Sequence, residues 1–443
     1  MILKRFKVFF AMYLVLLMNI NTGHCIEEKT VKLNIKEAIE LAKKNNLAIL
    51  ANAKNLNIAT NNIKTSNKLQ NPEIFTFYNF GQAGKGNPQQ VGLAQTIELG
   101  KRTARKNAAK TNFELIADNY KYNQFSLNMN VREAYINLVV AKSFLDIVEK
   151  QKELLEELLK ELERTNTKGD EEALLEIMQT EIALNLIIAK ENTAKVNVES
   201  KKLDFNKILN LKNDIDINYD STDENLLEDR DFISLLTPLP EEDLPEFEEI
   251  KNNAFEKRFD LKIKNDEIKL AEKKLVLALR QRIPDIQVAG GYSFQPNNQS
   301  NNEGYLSGAY TGLNITNIPF LYNYSPEIKN AQLELEQAKL RYDSTKNIAE
   351  HEFESTYKRF KMAKINLGHY DGKILDKSDE LLSISKKSFK EGKSTLTTFI
   401  LIEQSHIDVQ TNYIEALSEY YKSWLDFLRV VNTDEFSFGE QFL

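Results

Sequence analysis

The chain is poor in residues that lock a fold covalently or interrupt helices. Its 443 residues include one cysteine, one tryptophan, nine prolines and 16 glycines. A single cysteine excludes an intramolecular disulfide framework. His24, His351, His369 and His406 stand apart, with no carboxylate or cysteine at ligand spacing, so no metal site is expected. There is no glycine-rich phosphate loop, and no strand-to-helix turn frames a serine nucleophile, so neither a cofactor nor catalysis is expected. Beyond residue 25 no run approaches the roughly 20 apolar residues of a membrane helix. Strands or lipid are then the only ways this chain can meet a membrane.

What is present begins with a basic start, Lys4, Arg5 and Lys7, followed by an apolar stretch at 8–18. This is the pattern of an export signal, assigned to residues 1–25. Cleavage after Cys25, with Gly23 at the third position back, removes the only cysteine. Acylation of Cys25 is the alternative, although His24 suits poorly the position before a lipidated cysteine. Losing the three cations takes the formal charge from −7 to −10, an acidic balance that argues against a nucleic-acid partner.

The sequence is written twice. Asn46-Leu47-Ala48-Ile49 lies 26 residues before Pro72, and Arg258-Phe259-Asp260-Leu261 lies 26 before Pro284. Gly92-Leu93-Ala94-Gln95-Thr96-Ile97 answers Gly312-Leu313-Asn314-Ile315-Thr316-Asn317, Gly169 answers Gly392, and Leu203-Asp204-Phe205 with Asn210 answers Leu425-Asp426-Phe427 with Asn432. Two repeats, about 34–211 and 246–432, are expected in one unit spanning 26–443, joined by an acidic connector at 212–245.

Each repeat reads helix, strand, loop, strand, very long helix, tight turn, helix. From 101 to 168 there is neither proline nor glycine, and Leu127, Val131, Ala134, Leu138, Ala141, Leu145 and Val148 form a coiled-coil seam that resumes at Leu155, Leu158 and Leu162. Such a rod is on the order of 100 Å long. The second rod, 324–391, is expected to bend near Gly368 and Gly372. Return helices at 171–211 and 394–432 are too short to cover the rods alone. Helices at 34–70 and 245–282 supply the missing length if they stack end to end on them, giving two long and four short helices.

Pro72 and Pro284 mark entry into strands, since proline biases its predecessor toward extended backbone. Ile286, Val288, Tyr292 and Phe294 alternate with Gln287, Ala289, Gly291 and Ser293, and Val91, Leu93, Ile97 and Leu99 with Gly92, Ala94, Thr96 and Glu98. Two further strands are expected around 74–80 and 306–315, with polar hairpin loops at 81–90 and 296–304. Four strands cannot close a barrel, and an open edge in lipid leaves backbone groups unpaired. Three chains would contribute twelve strands. Phe75, Phe77, Tyr78, Tyr292, Phe294 and Tyr310 favour such a shared barrel.

Gln95-Thr96-Ile97-Glu98-Leu99-Gly100-Lys101-Arg102 with Arg105, Arg258-Phe259-Asp260-Leu261, Ile283-Pro284-Asp285-Ile286 and the two glycine turns resemble the TolC family of outer-membrane efflux proteins, nearest its heavy-metal branch. The resemblance spans nearly the whole mature chain. It implies an α+β membrane protein, mainly α-helical: a homotrimer combining a twelve-stranded barrel in outer-membrane lipid with a long helical barrel across the periplasm. Such a duct conducts solutes passively from an inner-membrane pump through a periplasmic adaptor, with metal cations or drugs as cargo.

Carried over by position, Lys168, Gly169 and Asp170, with Phe389, Glu391, Gly392 and Lys393, resemble the periplasmic tips that meet the adaptor; Gly169 and Gly392 are equally readable as helix C-caps. Glu171, Glu172 and Glu176, with Thr398 and Leu401, are the candidates for the tunnel entrance. Thr398 and Leu401 stand where the family often carries acids, a departure that puts an aspartate-type gate in question. Two alternatives stay open: the outer-membrane component of a type I protein secretion system, and a periplasmic coiled-coil adaptor or scaffold.

Overall fold

A computed structural model describes residues 31–32, 35–78, 89–165, 171–211, 217–218, 251, 254–294, 307–370 and 374–432. The expected signal with Cys25, the loop residues 81–88 and 296–304, most of the connector and the tip Lys168-Gly169-Asp170 lie outside the described residues.

The elements run β1 (Val31–Lys32), α1 (Ile35–Asn45), α2 (Leu47–Ser66), β2 (Glu73–Tyr78), β3 (Gln89–Ile97), α3 (Lys101–Thr165), α4 (Glu171–Leu209), β4 (Ile217–Asn218), α5 (Phe259–Arg280), β5 (Asp285–Phe294), β6 (Gly308–Thr316), α6 (Ser325–His369), α7 (Leu375–Lys390) and α8 (Leu396–Val431). The 65-residue α3 is the axis of the molecule, and its predicted seam is buried from Leu127 to Leu162, apart from a half-buried Leu145.

Two expected helices are broken. The helix expected at 34–70 is two, because the Asn46 side chain accepts from the N–H groups of Ala48 and Ile49 at 3.0 and 3.1 Å and starts α2 afresh. The helix expected at 245–282 breaks at Arg258, whose ψ of 123° leaves the helical region between a turn at 254–257 and α5. The second rod is described as α6 and α7; Gly368 stays inside α6, 370 and 374 are still helical, and the expected bend at Gly372 lies outside the described residues. β3 also begins at Gln89, inside the expected loop, and the short parallel pair β1–β4 was not foreseen.

Two matching joints order the helices. Asn210, beyond the end of α4, has a left-handed φ of 53°, and its Nδ2 donates to the Asn45 carbonyl at 3.0 Å. Asn432, beyond α8, has φ 63°, and its Nδ2 donates to the Lys257 carbonyl at 2.8 Å. Asparagine tolerates this conformation better than other residues carrying a Cβ. Each joint sets a return helix against the break in a neighbouring short helix, so α2 covers α3 where α4 leaves off.

Within the protomer α4 packs on α3, which also packs on α5 and α8, while α6 packs on α5 and α8. α4 and α6 therefore lie on opposite flanks. The waist is an aromatic core in which Phe360 contacts Trp424 at 4.9 Å between centroids and stacks on Phe427 at 5.7 Å. A second apolar cluster, with Leu155, Leu158, Leu162, Ile187, Leu396 and Phe399, lies toward the α7–α8 turn. The four long strands form one antiparallel sheet in the order β2-β3-β5-β6, so the two hairpins join through β3 and β5.

Candidate functional site

The sheet has two unlike faces, and register decides which residues share them. Ile74 opposes Leu93, Val91 opposes Tyr292, Val288 opposes Leu313 and Ile286 opposes Ile315. This face is apolar and open to the surroundings, with Ile74 at 77% and Leu313 at 74% exposure. On the other face Ala94 opposes Ala289, while Gln287 lies within 3.5 Å of Glu73 and 3.4 Å of Asn314. Apolar on one side and small or polar on the other is the alternation of a membrane barrel wall.

One row of the polar face runs Phe75, Gly92, Gly291, Tyr310 across all four strands. The outer two rings lean inward over the glycines, with centroids 6.4 Å apart. A Cβ on Gly92 would stand 2.6 Å from Phe75 Cζ, and one on Gly291 2.3 Å from the Val91 carbonyl oxygen, so glycine is required at both. Of the aromatics taken to favour a shared barrel, Phe75, Phe77 and Tyr310 thus lie on the face opposite the apolar one. Tyr292 and Phe294 remain on the apolar one, 4.8 Å apart.

The motif from Gln95 to Arg105 fastens sheet to helices. Lys101 Nζ meets Asp285 Oδ2 on β5 at 2.8 Å, and Asn317 Nδ2 donates to the same oxygen at 2.6 Å. Arg105 grips Glu98 through two bonds of 3.0 and 2.8 Å and holds that carboxyl below its ordinary range. Arg102 Nε and Arg105 Nε donate to the carbonyls of Asn67 and Ser66 at the end of α2, and Gln95 Nε2 donates to the Gln70 carbonyl. Four segments distant in sequence meet here.

At the opposite end, the described half of the expected tip is a tight helix stop. Gly392 has φ 68°, its N–H donates to the Phe389 carbonyl at 2.9 Å, and the Lys393 N–H donates to the Ser388 carbonyl at 2.9 Å. Phe389 does not project: it stacks on Phe399 at 5.5 Å and packs against the lower cluster. Glu391 and Lys393 are exposed and paired at 2.5 Å. Thr395 caps α8 by accepting from the Thr398 N–H at 3.3 Å. Thr398 and Leu401 lie exposed, away from the face carrying Leu396 and Phe399. On α4, Glu171 is exposed, Glu172 lies in the first turn, and the Glu176 carbonyl accepts from Thr180 Oγ1.

Sequence spacing missed a polar cluster between α7 and α8. His406, expected to stand alone, has Nδ1 3.0 Å from Ser378 Oγ and 3.6 Å from Asp379 Oδ1. Glu403, one turn away, is buried. The signal was the 396, 399, 403, 406 spacing, which sets both on the apolar face of α8. Among the described residues no three His, Cys, Asp or Glu side chains converge on a metal-sized site, and no helix is long and apolar enough to cross a membrane.

No protein-family profile matches the chain, and no curated protein matches it. Solved structures do. The Campylobacter jejuni CmeC outer membrane channel superposes with a TM-score of 0.68 at 17% identity, covering 92% of this chain and 90% of that one. The open state of the Neisseria gonorrhoeae MtrE outer membrane channel gives 0.69 at 16% identity, covering 90% and 88%. The outer membrane protein VceC of Vibrio cholerae gives 0.68 at 12% identity, covering 90% and 95%. The chain has the fold of the TolC-family outer-membrane channels.

Proposed function

We propose that this chain is the outer-membrane exit duct of a tripartite efflux system, conducting solutes passively from an inner-membrane pump, through a periplasmic adaptor, to the outside. It acts as a single exported unit of two repeats, 34–211 and 246–432, joined by 212–245. Metal cations are the first cargo to test and drugs the second.

The observation that carries this reading is that the protomer is a wall with two raw flanks. Its sheet ends in unpaired edges at β2 and β6 and exposes a largely apolar face, an arrangement costly in water and equally costly in lipid unless the edges are paired. Three copies give twelve strands, an even number in the outer-membrane range. The flanking helices repeat the pattern: α4 exposes Leu175, Met178 and Ile182, and α6 exposes Leu333, Leu340 and Ile348. Between β6 and α6, Phe320 and Leu321 stand 88% and 95% exposed, where a neighbour or lipid would cover them. Edge-to-flank closure of copies satisfies all of these at once.

The test is fractionation of cell envelopes with heat-modified electrophoresis. A trimer in the outer membrane is expected, and Ile182→Asp or Leu340→Asp should convert it to monomer. A soluble wild-type monomer outside the envelope would overturn the duct. Growth of a deletion strain across metals, dyes and antibiotics then identifies the cargo.

A further inference from the structure

The two repeats leave the sheet differently. In the first, β3 passes to α3 through the three residues 98–100; in the second, β6 reaches α6 through the eight residues 317–324. Phe320 and Leu321 on this longer link, at 88% and 95%, are the most exposed large apolar side chains among the described residues, and Ile318 and Tyr322 beside them are more than half exposed.

The link is pinned at its base. Asn317 takes a left-handed φ of 56° and its Nδ2 donates to Asp285 Oδ2 at 2.6 Å, the Phe320 N–H donates to the Ile318 carbonyl at 2.8 Å around Pro319, and Arg282 Nε donates to the Asn323 carbonyl at 2.8 Å. Tyr322 and Tyr324 meet edge to face at 5.3 Å, and the Tyr322 hydroxyl bonds to Glu327 in the first turn of α6. Polar bonds below therefore hold apolar tips out in the open, an arrangement that marks a contact surface. Arg282 is itself exposed, and its guanidinium has no carboxylate partner among the described residues.

We propose that 317–324 is a phospholipid-binding ledge: Phe320 and Leu321 enter the acyl region of the nearer leaflet, and Arg282 meets the headgroup phosphate. The link begins two residues past Ile315, which closes the apolar face of β6 and is 65% exposed, so the ledge continues the surface that lipid covers. A neighbouring copy closing on the β6 edge would bring up the start of its own β2, where Gln70, Asn71 and Glu73 are exposed and polar and offer no apolar seat. An apolar body with a cation and a tyrosine hydroxyl at its polar end suits the boundary between acyl chains and water. Such a ledge fixes the depth at which the sheet sits. The inference rests on the membrane-barrel reading above.

The experiment places the full chain with Phe320→Trp in mixed vesicles of phosphatidylcholine and phosphatidylglycerol, one or the other carrying bromines on its acyl chains, which quench tryptophan on contact. Wild type, whose Trp424 is 1% exposed in the waist core, is the unquenched control. The introduced tryptophan should lose emission, most with bromines near the carbonyl end of the chain, and should favour phosphatidylglycerol over phosphatidylcholine by about fivefold. Adding Arg282→Gln should abolish that preference, and adding Arg282→Lys should keep it. A trimer seated in the vesicles whose introduced tryptophan escapes quenching, or a preference unchanged by Arg282→Gln, would overturn the ledge and leave the barrel standing. Protein that never enters the vesicles would overturn both.

Discussion

Lys101 and Asp285, 184 positions apart, meet at 2.8 Å with side chains only 5% and 2% exposed. The pair locks the start of the long rod to the first residue of β5, so the helical and sheet parts of the protein share one buried ion pair. Removing one partner leaves the other charge buried. Asp285→Ala should therefore destabilise the fold by about 3–5 kcal/mol, whereas the double change Lys101→Met with Asp285→Leu should cost much less. Chemical denaturation of the two variants in detergent separates these outcomes, and equal losses would show that the charge itself is not what matters.

The glycine row gives a graded expectation. Gly291→Ala drives a Cβ into backbone atoms of β3, which cannot move without disturbing the ladder, while Gly92→Ala meets first the far edge of the Phe75 ring. The former should cost more, within the roughly 1–3 kcal/mol of overpacking. Gly312→Ala, with nothing within 4 Å, should fold like wild type. Yield of heat-modifiable protein after refolding ranks the three.

Glu98 predicts an acid-sensitive junction. Arg105 holds its carboxyl below the ordinary 4.5, so the contribution is present above that value and is lost as pH falls through the depressed one. Glu98→Gln should lower the melting temperature at pH 7 and leave less further loss on acidification than wild type shows. Melting curves from pH 7 to pH 3 would sink this account if the two proteins lost stability in parallel over the acid range.

At the tip, Gly392→Val strains a left-handed residue without a steric clash, at about 1–2 kcal/mol, while Gly392→Asn should be nearly silent for folding. If this turn meets an adaptor, the valine variant should reach the membrane as trimer and yet fail to confer efflux. Neutralising Glu171, Glu172 and Glu176 together should lower cation selectivity in planar bilayers, since threefold repetition concentrates their potential.

Periodicity made the long elements legible. The seam from Leu127 to Leu162 follows from apolar spacing alone, because a helix without proline or glycine has nowhere else to hide that stripe. The alternation around Val288 and Leu93 likewise fixed which residues share a strand face. Helix breaks were harder to read. Asn46 and Arg258 stand at the head of the recurring tetrads, yet only the cap geometry reveals why those tetrads recur: each starts a helix at a joint. The motif from Gln95 to Arg105 looked like a label of kinship and turned out to be a fastening of four segments.

The sequence by itself determined the local periods, the switches at Pro72 and Pro284 and the apolar character of one strand face, since these depend on neighbours two to seven residues away. Tertiary structure alone decided the partnerships of Lys101 with Asp285, Asn432 with Lys257 and Ser378 with His406, and the burial of Glu403. Those depend on which distant surfaces come together, and a charge or an amide has no directional preference until packing removes the water that would otherwise satisfy it.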